Sequence, residues 1–221
     1  MNRVLAILIF AGIVSAQEVN PDKRLEHATM AIRAFFSTES NVPHDLAGKA
    51  QCVVVVPHLV KGAFLFGGKY GRGFASCRRV NGGWSAPAAI AIEGGSFGPQ
   101  MGASSTDLIM LVMNQAGMKR LLGDKFTLGG EVAVVAGPVG GSASANTDVL
   151  MTAEMISYSH SKGLFMGLSL EGATLRPDAG ENKKLYGHEM GNNQILMGKV
   201  QPPRGARAFV AVLNKHARKG K

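Results

Sequence analysis

The sequence predicts an α+β domain in which helices at the N- and C-terminal ends flank a twisted antiparallel sheet, barrel- or sandwich-like in shape. From Gly62 to Gly102, short apolar and aromatic runs alternate with glycine clusters, as they do in hairpin-connected strands. On either side of that stretch, apolar residues recur at the spacing of amphipathic helices. A chain of 221 residues suits one sizeable domain with a substantial core.

The first predicted helix begins at Pro21. Asn20 is a suitable cap, and Asp22 lies near the positive end of the helix dipole. One apolar stripe follows at helical spacing, made of Leu25, Ala28, Ile32, Phe35 and Phe36. This stripe can pack on the sheet or meet a membrane surface as an amphipathic helix. A second short helix is expected from about Val42.

The strands are predicted from apolar runs and turn residues. The run from Cys52 to Val56 is of strand length and is ended by Pro57, and a tight turn is expected at residues 81–83. Residues 106–114 fit a buried strand or an apolar helix equally well. Later segments predict a helix at 115–122, strands within 126–136, 155–159 and 163–171, and surface helices at 178–186 and from Pro203 onward.

The first 16 residues have the pattern of a secretory signal peptide. Arg3 gives a positive start, an apolar run follows from Val4 to Val14, and small residues lie at the expected cleavage site before Gln17. We therefore expect an exported protein of the periplasm or the extracellular cell envelope, with a single domain at 17–221. Its core is expected at 21–213 and a basic tail at 214–221.

Export also governs the interpretation of Cys52 and Cys77. Two cysteines on predicted neighbouring strands in an oxidising compartment favour a disulfide, with two buried free thiols as the alternative.

The charge balance favours an anionic partner. The net charge is +9, and no acidic residue lies between Asp45 and Glu93. The basic residues in that interval are Lys49, Lys61, Lys69, Arg72, Arg78 and Arg79. They can form a surface for anionic headgroups or can be ordinary solvated residues. Nucleic acid fits the charge too, but export and the few aromatic residues among the basic ones count against it.

Motifs for catalysis are weak. Residues 94–98 fit the Gly-x-Ser-x-Gly pattern of a hydrolase, with Ser96 as nucleophile, but Pro99 and Gly102 follow where a helix should begin. The glycine clusters near Tyr70 lack the ending of a phosphate loop, and the histidines lack the paired spacing of a zinc site. The sequence therefore predicts no enzyme, cofactor or metal.

The order of several short motifs resembles the SYLF domain family. The matching segments are Val60-Lys61-Gly62-Ala63-Phe64, Gly71-Arg72-Gly73, Trp84-Ser85-Ala86-Pro87, Thr127-Leu128-Gly129-Gly130, Ala136-Gly137-Pro138-Val139-Gly140, Ser161-Lys162-Gly163-Leu164-Phe165 and Leu168-Ser169-Leu170-Glu171-Gly172. The resemblance runs from about Pro21 to Leu213.

The resemblance implies a compact, non-enzymatic domain that binds anionic phospholipids, partly through an N-terminal amphipathic helix. Eukaryotic members bind phosphoinositides, and some fungal members bind actin. The helix corresponds to residues 21–37 here, with Lys23, Arg24 and Arg33 as its basic residues. For an exported bacterial protein, phosphatidylglycerol- or cardiolipin-like lipids are expected in place of phosphoinositides and actin.

The leading hypothesis is therefore peripheral binding of anionic phospholipid at the cell envelope. The side chains predicted to bind lipid are Lys61, Lys69, Arg72, Arg78, Arg79, Lys23, Arg24 and Arg33. The first alternative is an envelope interaction or structural module that binds an acidic protein or polymer. The second is a serine esterase that uses Ser96.

Overall fold

The computed structural model describes residues 20–37, 42, 44–63, 66–97, 102–140, 150 and 152–217. The predicted signal peptide and the end of the basic tail lie outside these residues. The helices are α1 (Pro21–Phe35), α2 (His44–Lys49), α3 (Gln115–Leu121), α4 (Ala179–Tyr186), α5 (Asn192–Met197) and α6 (Arg207–His216). The strands are β1 (Cys52–Ala63), β2 (Phe66–Cys77), β3 (Ala88–Phe97), β4 (Gly102–Val112), β5 (Phe126–Thr127), β6 (Val134–Ala136), β7 (Met155–Ser161), β8 (Leu164–Gly167) and β9 (Thr174–Pro177).

The described strands form one curled, mostly antiparallel sheet, which confirms the predicted α+β class. The strand order is β5-β9-β3-β2-β1-β4-β7-β6, and β8 also pairs with β7. The pairing of β6 with β7 is parallel. Four long strands, β1 to β4, make up its centre.

The sheet is buried on both faces, which explains the unbroken apolar run at the start of β1. Val53 and Val55 face a core that contains α1 and α6, whereas Val54 and Val56 face a second core that contains α3 and α5. A strand that is covered on both sides has no polar face, so its sequence does not alternate.

Helix α1 uses its apolar stripe inside the fold. The side chain of Asn20 accepts a hydrogen bond from the backbone N–H of Asp22, as predicted for the cap. Leu25, Ile32 and Phe35 are fully buried against the sheet and α6. Of the two interpretations of this stripe, packing on the sheet is therefore the one that the structure adopts.

Strand β1 continues through Pro57, where the sequence predicts its end. The pairing register shifts between Val56 and Leu59, and His58 adopts a positive φ of 53°. The carboxylate of Asp107 accepts a hydrogen bond from the backbone N–H of His58. A bulge places proline where the ladder needs no donor, so β1 passes this point and extends to Ala63.

Candidate functional site

Strands β1 to β4 and the β7–β8 hairpin have termini at the same end of the sheet. Ala63 of β1 lies opposite both Gly67 of β2 and Gly102 of β4, and β3 and β4 flank the β1–β2 hairpin on either side. The β7–β8 hairpin lies beside β4, with Asp107 opposite His160. We call the described residues 60–63, 66–70, 93–97, 102–106 and 161–166 the hairpin end.

Two lysines face each other across the centre of the hairpin end. Lys61 of β1 lies directly opposite Lys69 of β2, and on its other side Lys61 lies opposite the exposed Ser104 of β4. Burial, and secondly the charge of Lys69, lower the pKa of Lys61. Neither lysine forms an ion pair with any residue that the structure describes. Like charges at directly opposed positions destabilise a sheet, so this pair has no structural benefit.

Exposed apolar side chains lie at the same end of the sheet as these lysines, with Val60 and Tyr70 on the opposite face from Lys61 and Lys69 because side chains alternate along a strand. Among the described residues seven large hydrophobic side chains are exposed, and four of them lie at the hairpin end. They are Val60 at 48%, Tyr70 at 51%, Leu164 at 64% and Met166 at 57% exposure. A further exposed cation, Lys162, lies in the turn between β7 and β8. A mixture of lysines with aliphatic and aromatic side chains is typical of surfaces that contact a membrane interface.

The carboxylates near the hairpin end already have partners. Arg176 donates hydrogen bonds to Glu93, and these bonds are the main reason that the pKa of Glu93 is lowered. Asp107 accepts from the backbone N–H of His58 and lies 3.5 Å from Nδ1 of His160. Both acids therefore have partners other than Lys61 and Lys69.

Arg24 and Arg72, two of the predicted lipid-binding residues, are instead part of a buried ion-pair network. Both pair with Glu181 of α4, which is only 1% exposed, and Nε of Arg72 also donates to Asp178 at 2.6 Å. The network joins α1, β2 and α4. These arginines stabilise the fold and present no free charge to a lipid.

Arg78 and Arg79 lie at the opposite end of β2 from Lys69. Arg78 donates hydrogen bonds to the carbonyls of Ala47, Gly48 and Ala50, and its guanidinium lies 4.7 Å from the ring centre of Trp84. Arg79 donates to the carbonyl of Val200. Burial lowers the pKa of Arg78.

The eight predicted residues therefore fall into separate groups and do not share one face. Lys61 and Lys69 lie at the hairpin end, Arg24 and Arg72 in the buried network, and Arg78 and Arg79 at the far end of the strands. Lys23 and Arg33 are exposed on the outer side of α1.

The predicted disulfide is present in the structure. Cys52 and Cys77 lie directly opposite each other on β1 and β2 and are bonded. The bond joins the two central strands at the end remote from Lys61.

The hydrolase motif does not have the backbone that a nucleophile elbow needs. Ser96 lies within β3, opposite Gly67 of β2, and not at a turn between a strand and a helix. Within the described ranges, no group of three His, Cys, Asp or Glu side chains is arranged to hold a metal ion. No helix in those ranges combines the length and hydropathy that crossing a membrane requires.

Sequence reasoning missed Lys162, Leu164 and Met166. The Lys162-Gly163 pair, placed between two β-patterned segments, was a turn signal that would have put these side chains at a hairpin. Nothing local in the sequence indicated that this hairpin lies beside Lys61.

The chain matches known proteins over most of its length. The family model described as "Ysc84: Las17-binding protein actin regulator" matches residues 93–216. LAS seventeen-binding protein 3 of Saccharomyces cerevisiae is 35% identical over 185 residues, which cover 82% of this chain and 40% of the relative. SH3 domain-containing YSC84-like protein 1 of Mus musculus is 32% identical, with 80% and 52% covered. The chain thus spans about half or less of the length of these relatives.

Proposed function

Because the chain belongs to the SYLF (Ysc84) domain family, we propose that it binds anionic phospholipid surfaces reversibly through its hairpin end. The ligand is a bilayer rich in phosphatidylglycerol- or cardiolipin-like lipid at the cell envelope, and no reaction is catalysed. The observation that carries the proposal is the opposed pair Lys61 and Lys69, which has no carboxylate partner among the described residues and lies at the same end of the sheet as four exposed apolar side chains.

Electrostatic attraction supplies the first contribution to binding. Each cation near an anionic membrane contributes about 1 kcal/mol, so Lys61, Lys69 and Lys162 together contribute about 3 kcal/mol. An anionic headgroup between Lys61 and Lys69 also removes their mutual repulsion. This contribution weakens as salt shortens the Debye length from about 10 Å at 0.1 M to about 3 Å at 1 M.

Apolar contact supplies the second contribution. Tyr70 and Val60 lie on the face of the sheet that α1 covers further along, and Leu164 and Met166 lie on β8. Fully burying an apolar side chain of this size contributes about 1.5–3 kcal/mol to the free energy of binding. Shallow insertion of these side chains into the membrane interface contributes a fraction of that value. Lysines with nearby aliphatic chains give weak, reversible attachment without an anchor.

Helix α1 is a poorer candidate for insertion. Its apolar residues are held in the core, and release of the helix would expose Leu25, Ile32 and Phe35 to solvent. Its outer side offers Lys23 and Arg33 together with Asp22 and Glu26, so its net charge is small.

Vesicle co-sedimentation tests the proposal. The double variant Lys61→Gln/Lys69→Gln should weaken binding to phosphatidylglycerol vesicles by about 2 kcal/mol, or about thirtyfold. The matched control is Lys23→Gln/Arg33→Gln, which removes the same charge from α1 and should have a small effect. If both double variants lose the same affinity, net charge alone drives binding. If binding ignores anionic lipid or salt, the mechanism is wrong.

A second candidate is binding to an acidic protein, and the family description as Las17-binding favours it. Exposed basic residues lie on α1 and around α6, namely Lys23, Arg33, Arg204, Arg207 and Lys215. This candidate predicts saturable binding of a polyglutamate probe that Arg207→Glu/Lys215→Glu abolishes. Vesicle binding should then be unaffected by the Lys61→Gln/Lys69→Gln variant.

A further inference from the structure

A pocket of about 1060 Å³ lies at the end of the sheet opposite to the hairpin end. The turn at residues 81–83, the end of α2, the start of α3 and the end of α6 surround it. The lining residues that matter chemically are Lys49, Arg78, Arg79, Trp84, Met118 and Met197. Its volume is at the upper end of the range for pockets that hold drug-sized molecules.

The pocket carries positive charge, and among the described residues only Lys49 of its cations has a carboxylate partner, Asp45 at 3.4 Å. Three of its lining residues are cations and none is acidic. Arg78 and Arg79 donate hydrogen bonds to backbone carbonyls, which orient their guanidiniums but do not neutralise them. Neither arginine forms an ion pair with a described residue. A half-buried guanidinium in this state favours an incoming anion.

The rest of the wall combines apolar side chains with the polar Gln51, Gln115 and Asn214. Trp84 lies beneath the guanidinium of Arg78, and Met118 and Met197 line the pocket with it. Val80 on the rim is 98% exposed and Met197 is 47% exposed, so apolar surface extends to the mouth. Methionine and tryptophan side chains accept aliphatic or aromatic groups of varied shape.

We propose that this pocket binds a single amphiphilic anion, a carboxylate or phosphate monoester that carries an apolar chain. The head lies against Arg78 and Arg79, and the chain contacts Trp84, Met118 and Met197. Arg78 follows the last residue of β2 and lies nine positions beyond Lys69, which is about 30 Å at ~3.3 Å per residue. The site is therefore separate from the hairpin end and does not depend on it.

The chain contains its own reporter, because Trp84 is the only tryptophan. The experiment titrates dodecyl phosphate and dodecanoate below their micelle concentrations and follows tryptophan emission. Saturable change with either anion is expected, and the tighter one identifies the preferred head. Dodecanol binding equally well would show that charge plays no part and overturn the proposal. Inorganic phosphate binding equally well would show that the apolar wall plays no part and would also overturn it.

A pair of variants at the mouth separates charge from shape. Met197→Glu places a carboxylate beside the pocket and should weaken binding by about tenfold or more, whereas Met197→Gln, which loses the apolar contact but adds no charge, should weaken binding less. Because Met197 is half-exposed at the end of a helix, both variants should fold. Arg79→Gln should weaken binding similarly. Equal binding by the parent, Met197→Glu and Arg79→Gln would place the anion elsewhere and refute the site.

The hairpin-end variant provides the final control. Lys61→Gln/Lys69→Gln should bind dodecyl phosphate as tightly as the parent while losing affinity for vesicles. A parallel loss of both activities would show that they share one surface, which contradicts the separation of the pocket from the hairpin end. If only vesicle binding fails, the proposal of anion binding in the pocket is unaffected. The proposals for the pocket and for the hairpin end can therefore be refuted separately.

Discussion

Replacing Glu181 with glutamine tests the buried network that withdraws Arg24 and Arg72 from the surface. Glu181 is 1% exposed and forms ion pairs with both arginines, which come from α1 and β2. Glutamine keeps the size of the side chain and removes its charge. The substitution therefore removes the carboxylate that the two guanidiniums share, while Asp178 still contacts Arg72.

The size of the effect follows from this geometry. Removing one partner of a buried ion pair costs about 3–5 kcal/mol because the other charge stays in a poorly solvated site. Arg72 keeps its 2.6 Å hydrogen bond to Asp178, so the lower figure applies. A loss of about 3 kcal/mol lowers the Tm of a domain of this size by about 6–12 °C.

Urea and thermal unfolding at neutral pH measure this change. The control is Glu189→Gln, because Glu189 pairs with Lys183 at 3.1 Å on the surface, where both side chains are exposed. Such surface pairs contribute about 0–1 kcal/mol. If Glu181→Gln is no more destabilising than Glu189→Gln, the network does not hold α1 and α4 to the sheet. Arg24 and Arg72 would then be candidates for ligand binding again.

Three other outcomes are expected. The bond between Cys52 and Cys77 closes a loop across a sequence separation of 25, so the double alanine variant should lose about 3 kcal/mol in urea unfolding; unchanged stability would show that the reduced chain is equally constrained. Burial raises the pKa of Tyr158 and Tyr186, so the folded state retains their protons longer than the unfolded chain. The free energy of unfolding should therefore fall as pH rises above about 10, and tyrosinate absorbance should rise with unfolding; ionisation of both in the folded state would contradict this. Lys61→Gln should stabilise the protein by about 0.2–1 kcal/mol because it removes a like-charge cross-strand pair, and a loss of stability would show that Lys61 has an internal partner.

The parts of the fold that follow from local rules could be predicted from the sequence. Asn20 marks the start of α1 because its side chain accepts a hydrogen bond from a backbone N–H that has no partner within the helix. The apolar residues that follow recur at the helical period, which predicts the buried side of the helix. Cys52 and Cys77 pair because both lie on strands that a short connection makes neighbours. The same rules failed at Pro57, where a bulge allows β1 to continue, since a bulge depends on contacts with β4.

The candidate site depended on contacts between distant segments. Counting charges between Asp45 and Glu93 found a run of cations without acids, but the acid that binds Arg72 lies 106 residues further along the chain. The position of α4 therefore decides which of these cations has a carboxylate partner. No local sequence pattern indicates where α4 packs. Likewise, the β7–β8 hairpin that carries Lys162 lies one strand away from β1 only because β7 pairs with β4.

The contrast between the arginines and the lysines is the physical basis for assigning function. Arg24, Arg72 and Arg78 donate to carboxylates or to several carbonyls at once, so the fold itself accounts for their charge. Lys61 and Lys69 have no such partners among the described residues, and they repel each other at a half-buried position. A pair of residues that destabilises the fold is expected at a functional site. Here an anion bound between the two facing ammonium groups would replace their repulsion with attraction. We therefore place the ligand at the hairpin end, where an anion can neutralise the charges of Lys61 and Lys69.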